Sequence, residues 1–129
     1  MGTDRRPARG ANGEAAAARH LTASGYRILE RNFRTRSGEL DLVAADAEAI
    51  VFCEVKTRVA GSSAGPAEPL DAIGPAKRRR LRRMAGQWLA AHPIAAGRPS
   101  AVNLRFDAIG ITLAATGELT SLEHVRDAF

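Results

Sequence analysis

Cysteine is almost missing from this chain, and that shortage sets the first boundary. A single thiol, Cys53, leaves no partner for an intrachain disulfide, which removes the small disulfide-stapled folds and fits a reducing compartment. Aromatics are also scarce, with four Phe, one Trp and one Tyr in 129 residues, so the core must be chiefly aliphatic. No apolar run approaches the roughly 18 residues of a membrane span, and the N-terminus carries no apolar signal segment. A cytoplasmic protein that stays off membranes is the expectation. Cys-His metal spacing, a Walker-type glycine loop and a Ser-His-Asp order are all lacking, and His20, His92 and His124 lie scattered. Acidic residues are outnumbered: the net charge of +5 favours a polyanionic partner such as nucleic acid.

What the chain does have is one organising stretch, Gly38 to Arg58. It predicts two apolar strands, Glu39 to Ala45 and Ile50 to Thr57, joined by a tight turn and interrupted by Asp41, Glu54 and Lys56. Side chains alternate along a strand, so Glu54 and Lys56 share one face while Cys53 and Val55 point to the other. With the turn centred between Ala47 and Glu48, Asp41 falls directly across from Glu54. Two opposed carboxylates repel, and burying them unpaired is costly. A divalent cation between them, with Lys56 nearby, would remove the conflict.

The length suits one domain with a sizeable core and is too short for two. Residues 1–10 hold Arg5, Arg6 and Arg9 among Pro and Gly, and are expected to form a disordered basic arm, more simply a solvated tail than a nucleic-acid contact. The single domain then covers 11–129. Asn12 to Ser24 predicts an alanine-rich helix capped by Asn12 and ended by a left-handed Gly25. Glu14 sits in its first turn, where complementing the helix dipole is sufficient reason for an acid. His20 reads as a boundary residue. A first strand is predicted over Tyr26 to Phe33, followed by a basic turn with Arg34 and Arg36 at the border of any site formed by Asp41.

Beyond Arg58, a Gly-, Pro- and Ser-rich stretch from Val59 to Pro75 predicts a long loop, placed to fold over the site as a lid. Pro75 then opens a helix running to about Ala91 before Pro93, with Leu81, Met84, Ala85, Trp88 and Leu89 as its apolar stripe. Its other surface carries Lys77, Arg78, Arg79, Arg80, Arg82 and Arg83, with no acid interspersed to pair them, so phosphate contact competes evenly with a merely solvated face. Leu104 to Leu113 predicts another strand, with Phe106 and Ala108 on one face and Asp107, Ile109 and Ile111 on the other. Glu118 to Leu122 adds a short one. The tail from His124 is expected to dock as one helical turn through Val125 and Phe129.

Phosphodiester hydrolysis requires charge neutralisation at the phosphoryl oxygens and a prepared water. Asp41 and Glu54 can supply the oxygens that Mg²⁺ or Mn²⁺ prefers, the Val55 carbonyl a further one, and Lys56 can serve the water. The bland alternative, a strand-edge Glu54–Lys56 ion pair, wins for Glu-Val-Lys alone. It loses once Asp41 is in cross-strand register.

These residues resemble the PD-(D/E)XK nuclease superfamily, here with no Pro before Asp41. More closely, R-N-F-R-x-x-x-G-E-L-D-L-V-A, then V-F-C-E-V-K-T-R, then R-F-D-A-I and a terminal Asp-Ala-Phe resemble the YraN-like uncharacterised protein family, from Gly13 to Phe129. Ala64-Gly65-Pro66 lacks the aromatic that usually precedes the family's Gly-x-Pro. The family is similar to archaeal Holliday-junction resolvases. The resemblance implies an α/β, restriction-endonuclease-like three-layer core, with a central mixed sheet of about five strands flanked by helices. It also promotes Glu14, as the family's first-helix acid, into the acidic cluster.

The function expected is that of a Mg²⁺- or Mn²⁺-dependent endonuclease acting on DNA rather than RNA, on branched or single-stranded structures. Resolvase-like activity would favour a homodimer, because a four-way junction presents two cuts. A nucleic-acid-binding module that keeps the fold but cuts nothing is the alternative, and an acidic protein partner for the basic face is a third.

Overall fold

The computed structural model describes residues 5–61, 74–92 and 103–128, with side chains from Asn12 onward. Two helices and five strands follow in the order α1 (Arg5–Ala23), β1 (Arg27–Thr35), β2 (Gly38–Ala45), β3 (Ala49–Val59), α2 (Pro75–Ala91), β4 (Asn103–Leu113) and β5 (Leu119–Val125). The sheet order is β1-β2-β3-β4-β5, antiparallel except where β4 lies parallel to β3. That mixed pairing follows from connectivity. Tight turns can join β1, β2 and β3 antiparallel, whereas a parallel pair needs a crossover, and α2 lies in it.

Each face of the sheet is covered by one helix, giving three layers of α/β architecture. Ala16, Ala17, Ala18 and Leu21 of α1 pack on Leu42, Ala44, Val51, Cys53, Ile109 and Ile111. Leu81, Met84, Ala85 and Trp88 of α2 pack on Leu40, Val43, Ile50, Phe52 and Phe106. Cys53 is fully buried among aliphatics, and burial drives its thiol pKa well up, so it acts as a small apolar residue. The stripe predicted for α2 is the buried one, and the helix begins at Pro75 with Gly74 as its N-cap.

Three expectations need correction. α1 starts at Arg5, so residues 5–10, expected within a disordered arm, have helical backbone. Pro7 is compatible with this because it lies in the first turn, where its missing N–H is not needed. β5 runs to Val125, so His124 and Val125 extend a strand instead of forming a helical turn. Pairing of Ala108 with Val125 and Ile109 with His124 supplies the backbone bonds that a single turn would lack. β1 is two residues longer than Phe33. The lid expected over 59–75 falls mostly outside the described residues, as does Phe129.

α1 meets the sheet most closely at Gly13. A Cβ there would lie 2.0 Å from Thr57 Oγ1 and 3.0 Å from Thr57 Cβ. Thr57 is β-branched and stiff at χ1, so it has little room to yield. This approach sets Glu14, the next residue, beside the end of β3. Gly13→Ala would gain about 1 kcal/mol of helix propensity. It would lose about 1–3 kcal/mol to overpacking, so a net fall in melting temperature is expected. Combining it with Thr57→Ala should recover part of that fall, and a Gly13→Ala protein that melts higher than the parent would contradict the contact.

Candidate functional site

The β2–β3 hairpin has the register expected from the sequence, from Ala45 opposite Ile50 to Leu42 opposite Cys53. The ladder stops one residue short of the Asp41–Glu54 pair. There the Asp41 carboxylate replaces a backbone acceptor, taking the Val55 N–H on Oδ2 at 2.7 Å. Asp41 and Glu54 both line a pocket of about 290 Å³ with Gly38, Glu39, Lys77, Arg80 and Met84. The shared face follows from strand alternation, and α2 closes the pocket above it.

Three half-buried carboxylates converge at one end. Glu14 of α1 and Glu39 and Asp41 of β2 each bring an oxygen within 4.8 Å of the others. Burial first, and then the charge of Glu54, push the Asp41 pKa up to about 8 despite the Val55 hydrogen bond, with Glu14 and Glu39 adding to the rise. Glu14 is also raised, by burial and by Glu39 and Glu54, against a hydrogen bond from Asn32 that works the other way.

Glu54, only 5% exposed, takes a different role in this arrangement. Its Oε1 accepts the Lys77 ammonium at 2.6 Å, with Lys56 Nζ at 3.6 Å from the same oxygen. Burial and the neighbouring Lys77 lower the Lys56 pKa. Burial works most strongly to lower Lys77 too, but its bond to Glu54, its contact with Lys56 and the Glu54 charge together outweigh that and the group is raised. The N–H of Val55 is committed to Asp41.

The basic run on α2 divides. Lys77 turns into the pocket, and Arg80 is exposed but lines its wall. Arg78, Arg79 and Arg83 are exposed, and the Arg82 guanidinium lies 4.6 Å over the Phe106 ring. Arg34 is exposed 3.5 Å from Glu39, tying the basic turn to the acidic cluster, and Arg36 is exposed.

Two features escaped the sequence reading. Glu39 is one; its two-residue spacing from Asp41 was the available signal, since it places both on one face. The other is a second polar centre around Asp107, which is fully buried. Arg105 grips both its oxygens at 2.9 Å and donates to the Tyr26 hydroxyl at 2.6 Å. His124 Nε2 meets Asp107 Oδ2 at 2.7 Å and the Asp127 N–H reaches Oδ1 at 2.9 Å. A carboxylate accepts, so His124 donates from Nε2, and its Nδ1 shares a hydrogen bond with His20 Nε2 at 3.0 Å. Burial works to raise the Asp107 pKa, yet these bonds hold it down at about 2. No such pattern joins His20, His124 and Asp107 in the sequence, because three elements bring them together.

A pH test follows from Asp41. Its folded pKa lies above the ordinary 3.8, so the stability it contributes is present below that value and lost as pH rises through about 8. With a chelator present, the parent melting temperature should therefore fall relative to Asp41→Asn between about pH 4 and pH 8. Parallel melting curves for the two proteins across that range would refute the assignment.

Comparison with known proteins places the chain in a family. Residues 13–111 match the model of the uncharacterised protein family UPF0102. A UPF0102 protein of Frankia casuarinae is 48% identical over 117 residues, covering 91% of this chain and 92% of the relative. One from Streptomyces griseus is 45% identical over 121 residues, covering 94% and 95%. Among solved structures, Pyrococcus furiosus SfsA in complex with Ca²⁺ aligns with a TM-score of 0.40 and 17% identity, over 93% of this chain and 63% of that one. No helix among the described residues is long and apolar enough to cross a membrane. The resemblance read from Gly38–Asp41, Glu54–Lys56 and Arg105–Ile109 is thereby established at the level of the family. This chain belongs to the uncharacterised protein family UPF0102, the YraN-like family.

Proposed function

We propose that this protein is a Mg²⁺- or Mn²⁺-dependent endonuclease-like hydrolase acting on phosphodiester bonds in DNA. One observation carries the reading: Glu14, Glu39 and Asp41 converge within 4.8 Å beside the Glu54-Val55-Lys56 strand, under a helix bearing six cations. The donors fit a hard divalent cation, being carboxylate oxygens from two elements with no thiolate or imidazole among them. Burial, and then repulsion from Glu54, Glu14 and Glu39, raise the Asp41 pKa, and such a cation would relieve that repulsion.

Asp41 is the central ligand in this reading, with Glu14 and Glu39 beside it and Glu54 and the Val55 carbonyl bordering them. A bound Mg²⁺ or Mn²⁺ would supply charge neutralisation at the phosphoryl oxygens and acidify a water. Lys56, lowered by burial and by Lys77, is placed to hold or accept a proton from the attacking water. Arg79, Arg80 and Arg83 would grip flanking phosphates, with Arg34 and Arg36 on the opposite rim. A homodimer would present two such sites to a four-way junction, and the cytoplasm is the proposed setting. Glu54 already being held by two lysines favours a second reading, a nucleic-acid-binding module that does not cleave.

Linear, single-stranded, flap and four-way DNA incubated with Mg²⁺ or Mn²⁺ separate the two. Cleavage should appear on at least one substrate and be lost in both Glu54→Gln and Lys56→Ala. Mn²⁺ should also raise the melting temperature of the parent and of Lys56→Ala, by the equivalent of about 2.7 kcal/mol at a hundredfold excess over Kd, but not that of Asp41→Asn. Metal and DNA binding without cleavage dependent on Glu54 and Lys56 would make the protein a binding module.

The basic face has its own measurement. Replacing Arg79, Arg80 and Arg83 with Ala should weaken DNA binding whatever the sequence and flatten its salt dependence by up to about one unit per lost phosphate contact. Unchanged affinity and slope would return the run to a solvated surface.

A further inference from the structure

Lys77 is the cation of α2 that does not behave like a surface lysine. Its side chain is 23% exposed and its ammonium lies 2.6 Å from Glu54 Oε1, while the next three residues, all Arg, are exposed. The position is an awkward one for a positive charge. Lys77 lies in the first turn of α2, at the positive end of the helix dipole, and that turn contains no acid. Lys56 beside Glu54 and Arg80 on the same helix add like charge nearby. Glu54 is the group that holds Lys77 there.

We propose that Lys77 is a built-in competitor for the divalent cation, occupying Glu54 until metal and nucleic acid arrive together. The inference rests on the carboxylate cluster being a divalent-cation site. An ammonium hydrogen-bonded to Glu54 Oε1 blocks that oxygen and sets a like charge against any ion entering beside Asp41. Metal entry therefore displaces Lys77. Its four-carbon stem can swing the ammonium outward towards Arg80, where a phosphate of the substrate takes the place of Glu54 as its partner. Each ligand removes what opposes the other, so metal and nucleic acid bind with positive coupling, and the coupling is reciprocal. The lysine offsets the charge of Glu54 in the metal-free site and makes its loading more favourable when a polyanion is present.

The test is Mn²⁺ titration by calorimetry, without nucleic acid and with a short oligonucleotide carrying a non-hydrolysable backbone. Lys77→Met keeps the aliphatic stem and removes the charge. Without oligonucleotide it should bind Mn²⁺ about tenfold tighter than the parent, while Arg80→Met, which removes a charge from the same pocket, should change affinity by less than about half that factor. Oligonucleotide should tighten Mn²⁺ binding in the parent and do so much less in Lys77→Met. Circular dichroism and Trp88 fluorescence verify folding, and Lys77→Gln replaces Lys77→Met if that variant does not fold. Equal or weaker Mn²⁺ binding by the Lys77 variant, or equal tightening by Arg80→Met, overturns the proposal. If neither the parent nor any variant binds Mn²⁺, the divalent-cation reading itself fails and this one falls with it.

Discussion

Carboxylates crowded into a half-buried pocket repel one another, and much of this fold can be understood as the means of holding them there. Asp41 feels Glu54, Glu14 and Glu39 together. Those four residues arrive from α1, β2 and β3, so none can relax away without moving an element that is packed elsewhere. The β2–β3 register sets Asp41 next to Glu54, the Gly13–Thr57 approach delivers Glu14, and the Val55 N–H clamps Asp41. The clamp is informative in itself. A ladder that continued past Leu42 and Cys53 would satisfy the backbone with backbone, whereas here a carboxylate is spent on it.

The Asp107 centre shows how the same chemistry looks when it is complete. That carboxylate receives both arms of Arg105, an imidazole and a backbone N–H, and it is held ionised. Truncating one member of such a buried pair typically costs about 3–5 kcal/mol, because the partner is left charged and dry. The network ties α1, the residue before β1, β4 and β5 together through His20, Tyr26, Arg105 and His124, and helps hold His124 within β5. At the pocket Lys77 and Lys56 both reach Glu54, and Arg34 reaches Glu39. The Asp107 network lies on the face of the sheet that α1 covers, and the Asp41–Glu54 pocket on the face that α2 covers.

What the sequence could disclose tracks how local each feature is. Asp41 and Glu54 were legible together because strand alternation and a two-strand turn fix their relative register with few choices. The α2 stripe was legible because its buried residues recur at helical spacing and Pro75 marks the start. Glu14 was not legible from propensity, since an acid in a first helical turn has a sufficient local explanation; only the family resemblance promoted it. Glu39 could have been found by the same two-residue alternation that placed Asp41. Lys77 could not, because its inward turn depends on the rotation of α2 over the sheet, which a run of cations does not reveal. His20 and His124, 104 residues apart, meet only once α1 and β5 lie on their respective sides of β4. The early start of α1 was hidden by Pro7 and Gly10, which read as breakers although a helix tolerates Pro in its first turn.

The division of labour at Glu54 then bears on what kind of protein this is. A carboxylate that stood bare at this position would add a full charge beside Asp41, Glu14 and Glu39, and the fold would carry that cost throughout its life. Holding Glu54 with Lys56 and Lys77 removes the cost but leaves the oxygen engaged. Of the two lysines, Lys56 sits on the same strand and at the longer distance, so its position is fixed by β3 whatever Glu54 does. Lys77 is on the other layer, at the end of a helix whose remaining cations face solvent. It is therefore the member of the pair whose bond can be exchanged without disturbing the sheet.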